Sequence, residues 1–171
     1  MTTRAAIRPG DLPQDALLRR YCDLGYTDCY VTELDRAVTH AEYVEAFYTT
    51  FVFRLERWIL RLALSRPSTD DDVRRLARED AGAFSAWSVE ARARDQLLLC
   101  DHVGRTRSWL MTEPIDAART RLYFGSAVVA EHDPSTNERR LRRTYEALLG
   151  FHKLYSRVLL RAARARLEKQ R

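Results

Sequence analysis

The C-terminal stretch constrains this chain more than any other part of it. From about Leu141 to Arg171 the residues read as one long, strongly basic amphipathic helix. Leu141, Tyr145, Leu148, His152, Tyr155, Leu159 and Ala162 recur at alternating spacings of four and three, the period of one helical face. Ala147, Phe151, Leu154 and Val158 widen that face, so both sides of the helix could be covered. Such a helix needs an apolar surface to lie on, and several strand-like segments precede it. A helix closing over a curved sheet is one way to enclose a small-molecule pocket.

The preceding segments supply that surface. Pro13 to Asp23 suits a short helix, with Gly25 as its stop. Tyr26 to Leu34 is β-branched and aromatic and reads as a first strand. Thr39 and Glu42 form a capping box, and Val44, Phe47, Phe51, Leu55, Trp58, Ile59 and Leu62 predict a helix to about Leu64. Ser68 or Thr69 caps a second helix through Val73, Leu76 and Ala77, and Asp70, Asp71 and Asp72 fall where the helix dipole favours acids. From Phe84 the period becomes two, giving strands near 84–91, 96–102, 105–113 and 119–129. Val103-Gly104 fits a hairpin loop that would set Cys100 opposite Arg107 and Leu98 opposite Trp109. Five strands are placed in this way, and the polar loop Glu131 to Asn137 comes after them.

Helices segregated to one side of antiparallel strands define an α+β domain. At 171 residues the chain can bury a core without staples. The expected organisation is an N-terminal arm with a short helix at 1–25 and a single domain at 26–171. No apolar window of 18 or more residues occurs, so no transmembrane segment is expected. The N-terminus lacks the apolar core of a secretory signal, which makes a cytoplasmic address the expectation. Cys22, Cys29 and Cys100 are odd in number and form no CxxC, so free thiols are expected and no metal site. From Ser135 onward eleven Lys or Arg face three Glu, a net of +8, which leaves −3 for residues 1–134. Attraction to nucleic acid or an anionic surface is physically open there, although Arg on a solvated helix face near a C-terminus explains it as well.

The segment Tyr145 to Arg161, with Phe151-His152-Lys153-Leu154 at its centre, resembles the final helix of a small uncharacterised bacterial family. Arg54 to Leu62 and Thr120 to Val129 are similar to that family's first helix and last strand. More broadly, the order of elements resembles the START-like, or helix-grip, superfamily (SRPBCC), which includes polyketide cyclases, aromatase/cyclases and lipid-transfer domains. The resemblance implies a curved antiparallel sheet gripping a long C-terminal helix, with two helices after the first strand and a hydrophobic cavity between sheet and helix. A full helix-grip sheet has six or seven strands against the five placed here. The acids and histidine that the resemblance to the uncharacterised family implies near its central hairpin are replaced by Asp101-His102-Val103-Gly104-Arg105.

Candidates for chemistry are few. His152 lies on the apolar stripe with Tyr155 one turn away, so an imidazole could orient a ligand or move a proton while a phenol binds a carbonyl. A core histidine satisfied by a backbone carbonyl is the competing reading. Arg107 and Trp109 share a strand face and could bind a carboxylate or form a cation–π shelf if that face is concave; on a convex face they are packing residues. Asp101 and His102 point to opposite faces of a strand and cannot act as a dyad. Ser126 lacks a nucleophile elbow, and no phosphate or dinucleotide fingerprint appears, so no cofactor is expected. The expected function is therefore binding of an apolar or aromatic small molecule, with polyketide-cyclase-like chemistry as the implied reaction if there is turnover. The alternative is a non-enzymatic interaction protein whose basic C-terminal helix docks on an acidic partner or anionic surface. Nucleic acid is the weaker partner, because no aromatics interleave the arginines on the helix's outer side. A homodimer is compatible with either reading.

Overall fold

The structure, a computed structural model, describes residues 6–54, 69–129 and 138–170, and within the last stretch the side chains from Lys153 onward. Strand β1 (Arg8–Pro9) and a 3₁₀ helix (Leu17–Tyr21) precede β2 (Gly25–Leu34). Helices α1 (His40–Tyr48) and α2 (Asp70–Ala77) come next. The chain continues through β3 (Ala83–Phe84), β4 (Trp87–Ala93), β5 (Gln96–Asp101), β6 (Thr106–Pro114), β7 (Thr120–Val129) and the long helix α3 (Glu138–Lys169). The strands form one antiparallel, curved sheet in the order β1-β2-β7-β6-β5-β4-β3. This is the α+β architecture that the residue pattern leads one to expect.

Local chemistry sets most element ends. Thr39 Oγ1 accepts from Glu42 N at 3.2 Å while Glu42 Oε2 accepts from Thr39 N at 2.8 Å. Thr69 and Asp72 repeat this reciprocal cap on α2. The acid run is thus used locally: Asp72 caps, Asp70 pairs with Arg54, and Asp71 pairs with Arg74. The hairpin register is as expected, with Cys100 opposite Arg107 and Leu98 opposite Trp109. Its loop is longer, because Asp101 accepts from Gly104 N at 3.0 Å through its carbonyl and from Arg105 N at 2.8 Å through Oδ1. Gly104 supplies the positive φ of 75°.

Two expectations are corrected. The first helix ends at Tyr48 instead of running to Leu64. Thr49 Oγ1 donates to Glu45 O at 2.6 Å and Thr50 Oγ1 to Phe47 O at 2.9 Å, and this side-chain competition interrupts the backbone ladder. Residues 51–54 are helical again, but Phe51, expected in the core stripe, is 81% exposed while Phe53 is buried. Leu55, Trp58, Ile59 and Leu62 lie outside the described residues, as does the loop at 131–137. The sheet also has seven strands instead of five. The two extra strands, β1 and β3, are two residues long, too short to show a period, and Ser85 at φ 55° separates β3 from β4.

Alternation along the strands builds two cores. On one face Tyr30, Leu97, Leu110 and Phe124 pack under α1, α2 and the C-terminal half of α3, which contributes Leu159, Leu160, Ala163 and Leu167. On the other, Cys29, Leu98, Trp109, Met111 and Tyr123 pack under Ala16 and Leu18 of the N-terminal arm. Gly125 makes that second contact possible. A Cβ there would stand 2.6 Å from Leu18 Cδ2, 2.9 Å from Trp109 Cε3 and 3.0 Å from the Asp28 carbonyl. Gly125→Val should therefore destabilise the fold by about 1–3 kcal/mol in urea unfolding; an unchanged midpoint contradicts this packing.

His40 opens α1 with both imidazole nitrogens buried and, among the described residues, without hydrogen-bond partners. Burial, then the neighbouring Arg92 charge, lowers its pKa from 6.5 to about 4. Between those values the unfolded chain takes up a proton that the folded one refuses. The stabilisation is thus complete above pH 6.5 and is lost as pH falls toward 4, on the order of 3 kcal/mol in all. In His40→Leu, the stability–pH curve over this window should flatten relative to wild type. Parallel curves would show that the imidazole contributes nothing.

Candidate functional site

The sheet register brings three polar residues into a row across the helix-bearing face. Asp28 of β2 stands opposite Ser126 of β7, which stands opposite Ser108 of β6. One row further along the strands the same face is apolar: Tyr30, Phe124, Leu110 and Leu97. The Asp28 carboxylate accepts from Ser126 Oγ and, at 3.2 Å, from Ser126 N through Oδ1, and from the Tyr26 hydroxyl at 3.2 Å through Oδ2. Ser108 Oγ shares a 2.9 Å hydrogen bond with the Tyr48 hydroxyl at the end of α1. Ser108, Ser126 and Tyr48 are buried, while Tyr26 and Asp28 are half-buried.

Helix α3 runs over this region. Lys153 Nζ lies 5.6 Å from the centre of the Tyr26 ring, and the Arg157 guanidinium 5.3 Å from that of Tyr30. The Tyr30 phenol pKa is raised by burial and by Asp28, with Arg157 opposing. Tyr155, half-buried, packs against the helix-side core. It thus stands on the face where the sequence places it. The His152 backbone belongs to α3, but its side chain lies outside those described. Chemically the region offers a carboxylate and four hydroxyl groups in two hydrogen-bonded sets, Asp28 with Ser126 and Tyr26, and Ser108 with Tyr48, suited to orienting a ligand's hydroxyl or carbonyl.

Arg107 and Trp109 face the other way, under the N-terminal arm, and the structure does not bring them together with Tyr155. Of the two alternatives open for them, packing is what is found. Trp109 Nε1 donates to Gln96 Oε1 at 2.9 Å, and the same oxygen accepts from Leu17 N at 2.9 Å, the first N–H of the 3₁₀ helix. Gln96 Nε2 donates to Asp15 O at 3.2 Å, so this buried amide ties the arm to the sheet. Arg107 Nε donates to Glu90 Oε2 at 3.0 Å, and its guanidinium lies 4.5 Å from the Tyr21 ring centre. The Tyr21 hydroxyl donates to the other oxygen of Glu90, and its pKa is raised by burial first and by Glu90 second.

The remaining candidates are dispersed. His102 is at the exposed hairpin tip and Asp101 holds that turn. Ser126 serves the polar row through Asp28. Burial, with Asp28 and Asp11 nearby, pushes the Cys29 thiol up to about 12, so it stays protonated at neutral pH. Cys22 is exposed and Cys100 half-buried, and neither is disulfide-bonded. An open groove of about 670 Å³ runs beside Gly10–Leu12 and Gly25–Cys29 at the outer edge of β2.

No family model matches the chain, and no curated protein matches it. A solution NMR structure of a protein from Arthrobacter aurescens is similar to 98% of this chain and 93% of its own, at 17% identity and a TM-score of 0.43. A likeness of that size transfers no residue role. Within the described residues, no helix is long and apolar enough to cross a membrane.

Arg107→Met should cost about 1–3 kcal/mol in urea unfolding, because it takes from the half-buried Glu90 the nearer of its two guanidinium partners, the other being Arg20 at 3.9 Å. A neutral result would mean that the ion pair does not hold the arm.

Proposed function

We propose that this chain is a START-like, helix-grip domain that holds an apolar or aromatic small molecule between α3 and the Gly25–Val129 end of the sheet. The observation that carries this reading is the Asp28–Ser126–Ser108 row, a strip of hydrogen-bonding groups on the helix-bearing face beside the apolar Tyr30–Phe124–Leu110–Leu97 row. Polar residues at inward strand positions cost stability unless they are satisfied. Here Ser126 and Tyr26 satisfy Asp28, and Tyr48 satisfies Ser108, so a guest's hydroxyl or carbonyl would join an ordered set of hydrogen-bonding groups. The ligand's apolar body would lie along α3, and its hydroxyl or carbonyl would meet Tyr26, Asp28 and Ser126. Tyr155 and His152 are the α3 residues proposed to complete the pocket, and Arg107 and Trp109 take no part. Such a pocket could support cyclisation or dehydration of a polyketide-like substrate through orientation and one proton-transfer group, an analogy resting on the fold type alone. A cytoplasmic setting, with its three thiols reduced, belongs to the same reading.

The test is native mass spectrometry of freshly purified protein, followed by titration with an anilinonaphthalene sulfonate probe in wild type and Tyr26→Phe. A co-purified apolar molecule is expected. Probe affinity should fall by roughly fivefold in the variant, the loss of about 1 kcal/mol from one hydrogen-bonding group, with little change in melting temperature because Tyr26 is only half-buried. A ligand-free protein whose probe binding is absent, or is indifferent to Tyr26→Phe, overturns the reading.

A further inference from the structure

The side of α3 turned away from the sheet carries exposed aliphatic and basic side chains. Opposite the buried stripe of Ser156, Leu160, Ala163 and Leu167, the helix exposes Leu154 at 63% and Val158 at 39%. Lys153, Arg157, Arg161 and Lys169 surround them, all exposed. At 1.5 Å per residue these four cations span about 24 Å. Among the described residues none of the four has a carboxylate partner, whereas Glu168, the acid on this stretch, is bonded to Arg164. Phe51, 81% exposed, lies two residues beyond Thr49, whose carbonyl accepts from Arg166 Nη1 of the same helix at 3.3 Å.

We infer that this face docks on an anionic lipid bilayer, lying parallel to the surface. Exposed aliphatic side chains flanked by cations on long stems match the boundary between headgroups and acyl chains: Leu154 and Val158 enter the apolar zone while Lys153, Arg157 and Arg161 meet the phosphates. The partner's shape is dictated by the helix being a ridge. A ridge has no pocket for another protein's anchoring side chain, whereas a bilayer deforms around it. A phosphate backbone would leave Leu154 and Val158 against charged oxygens and offers them no apolar partner. The docking face is centred on Leu154 and Val158, turned away from the sheet, while its flanking Lys153 and Arg157 also lie over the Tyr26 and Tyr30 rings at the edge of the ligand side.

The experiment is co-sedimentation of the full chain with phosphatidylcholine vesicles, with and without phosphatidylglycerol, and in parallel retention on duplex DNA. Binding is expected only with phosphatidylglycerol, and added salt should weaken it by screening. Arg157→Glu with Arg161→Glu should lower binding roughly tenfold or more, since each basic residue near an anionic surface contributes roughly a fivefold factor. Leu154→Ser with Val158→Ser should weaken binding at unchanged net charge. Because Arg157 also touches Tyr30, the pair Arg161→Glu and Lys169→Glu is the second arm, and the control is Arg19→Glu with Arg20→Glu on the far side of the sheet. The inference fails if wild type ignores anionic vesicles at low salt, or if the control pair costs as much as the α3 pairs. It fails equally if DNA, and not the vesicles, registers the α3 substitutions.

Discussion

The ladder between β2 and β7 is the interaction on which the rest of the structure depends. It pairs Gly25 with Val129 at one end and Leu34 with Thr120 at the other, joining the first long strand to the last across most of the chain. Contacts this distant in sequence carry a large loop-closure cost, so the ladder gains little until the β4–β7 meander has formed beside it. Once made, it sets the path of the C-terminal helix. Helix α3 returns along β2, seen in Arg164 Nη1 reaching Thr32 Oγ1 at 3.2 Å. Arg36 Nη1 then reaches the Leu167 carbonyl at 2.9 Å and anchors the far end of the helix.

The same ladder creates the polar row and both cores. A shift of β2 by one residue would turn Asp28 to the arm side and Cys29 to the helix side, taking the carboxylate away from Ser126. The arm is the guard against that slip. Leu18 fits over Gly125 only in the observed register, and Gln96 captures the arm's backbone with the same oxygen that holds Trp109. The sheet is thus covered on both sides: by helices over the face proposed to hold a ligand, and by the arm over the face that holds the register.

Much of this was legible in the residues. The extent of α3, the Thr39–Glu42 cap and the Cys100–Arg107 register are set by period, capping chemistry and turn geometry, all local properties. The break at Thr49-Thr50 was not, because a threonine's side-chain bond to a backbone carbonyl leaves an apolar stripe looking continuous. Nor was the face of Arg107 and Trp109, which depends on where the arm returns and not on their own strand. The polar row is hidden in the sequence for a similar reason. Asp28, Ser108 and Ser126 are each ordinary alone and align only when β2, β7 and β6 are placed side by side. The signal available beforehand was weak but physical: each is a polar residue at an alternating position whose neighbours two residues away on the helix-facing side are mostly aromatic or aliphatic.

The central claim is that the row beneath α3, and not the face beneath the arm, receives a guest. Two-dimensional NMR of the protein titrated with a small aromatic ligand tests it most directly. The account predicts progressive shifts in the amides of Asp28, Ser108 and Ser126 and in the Tyr155 ring, while the Trp109 indole N–H, held by Gln96, stays fixed. Movement of the indole signal with a silent polar row, or no shifts anywhere, would contradict it.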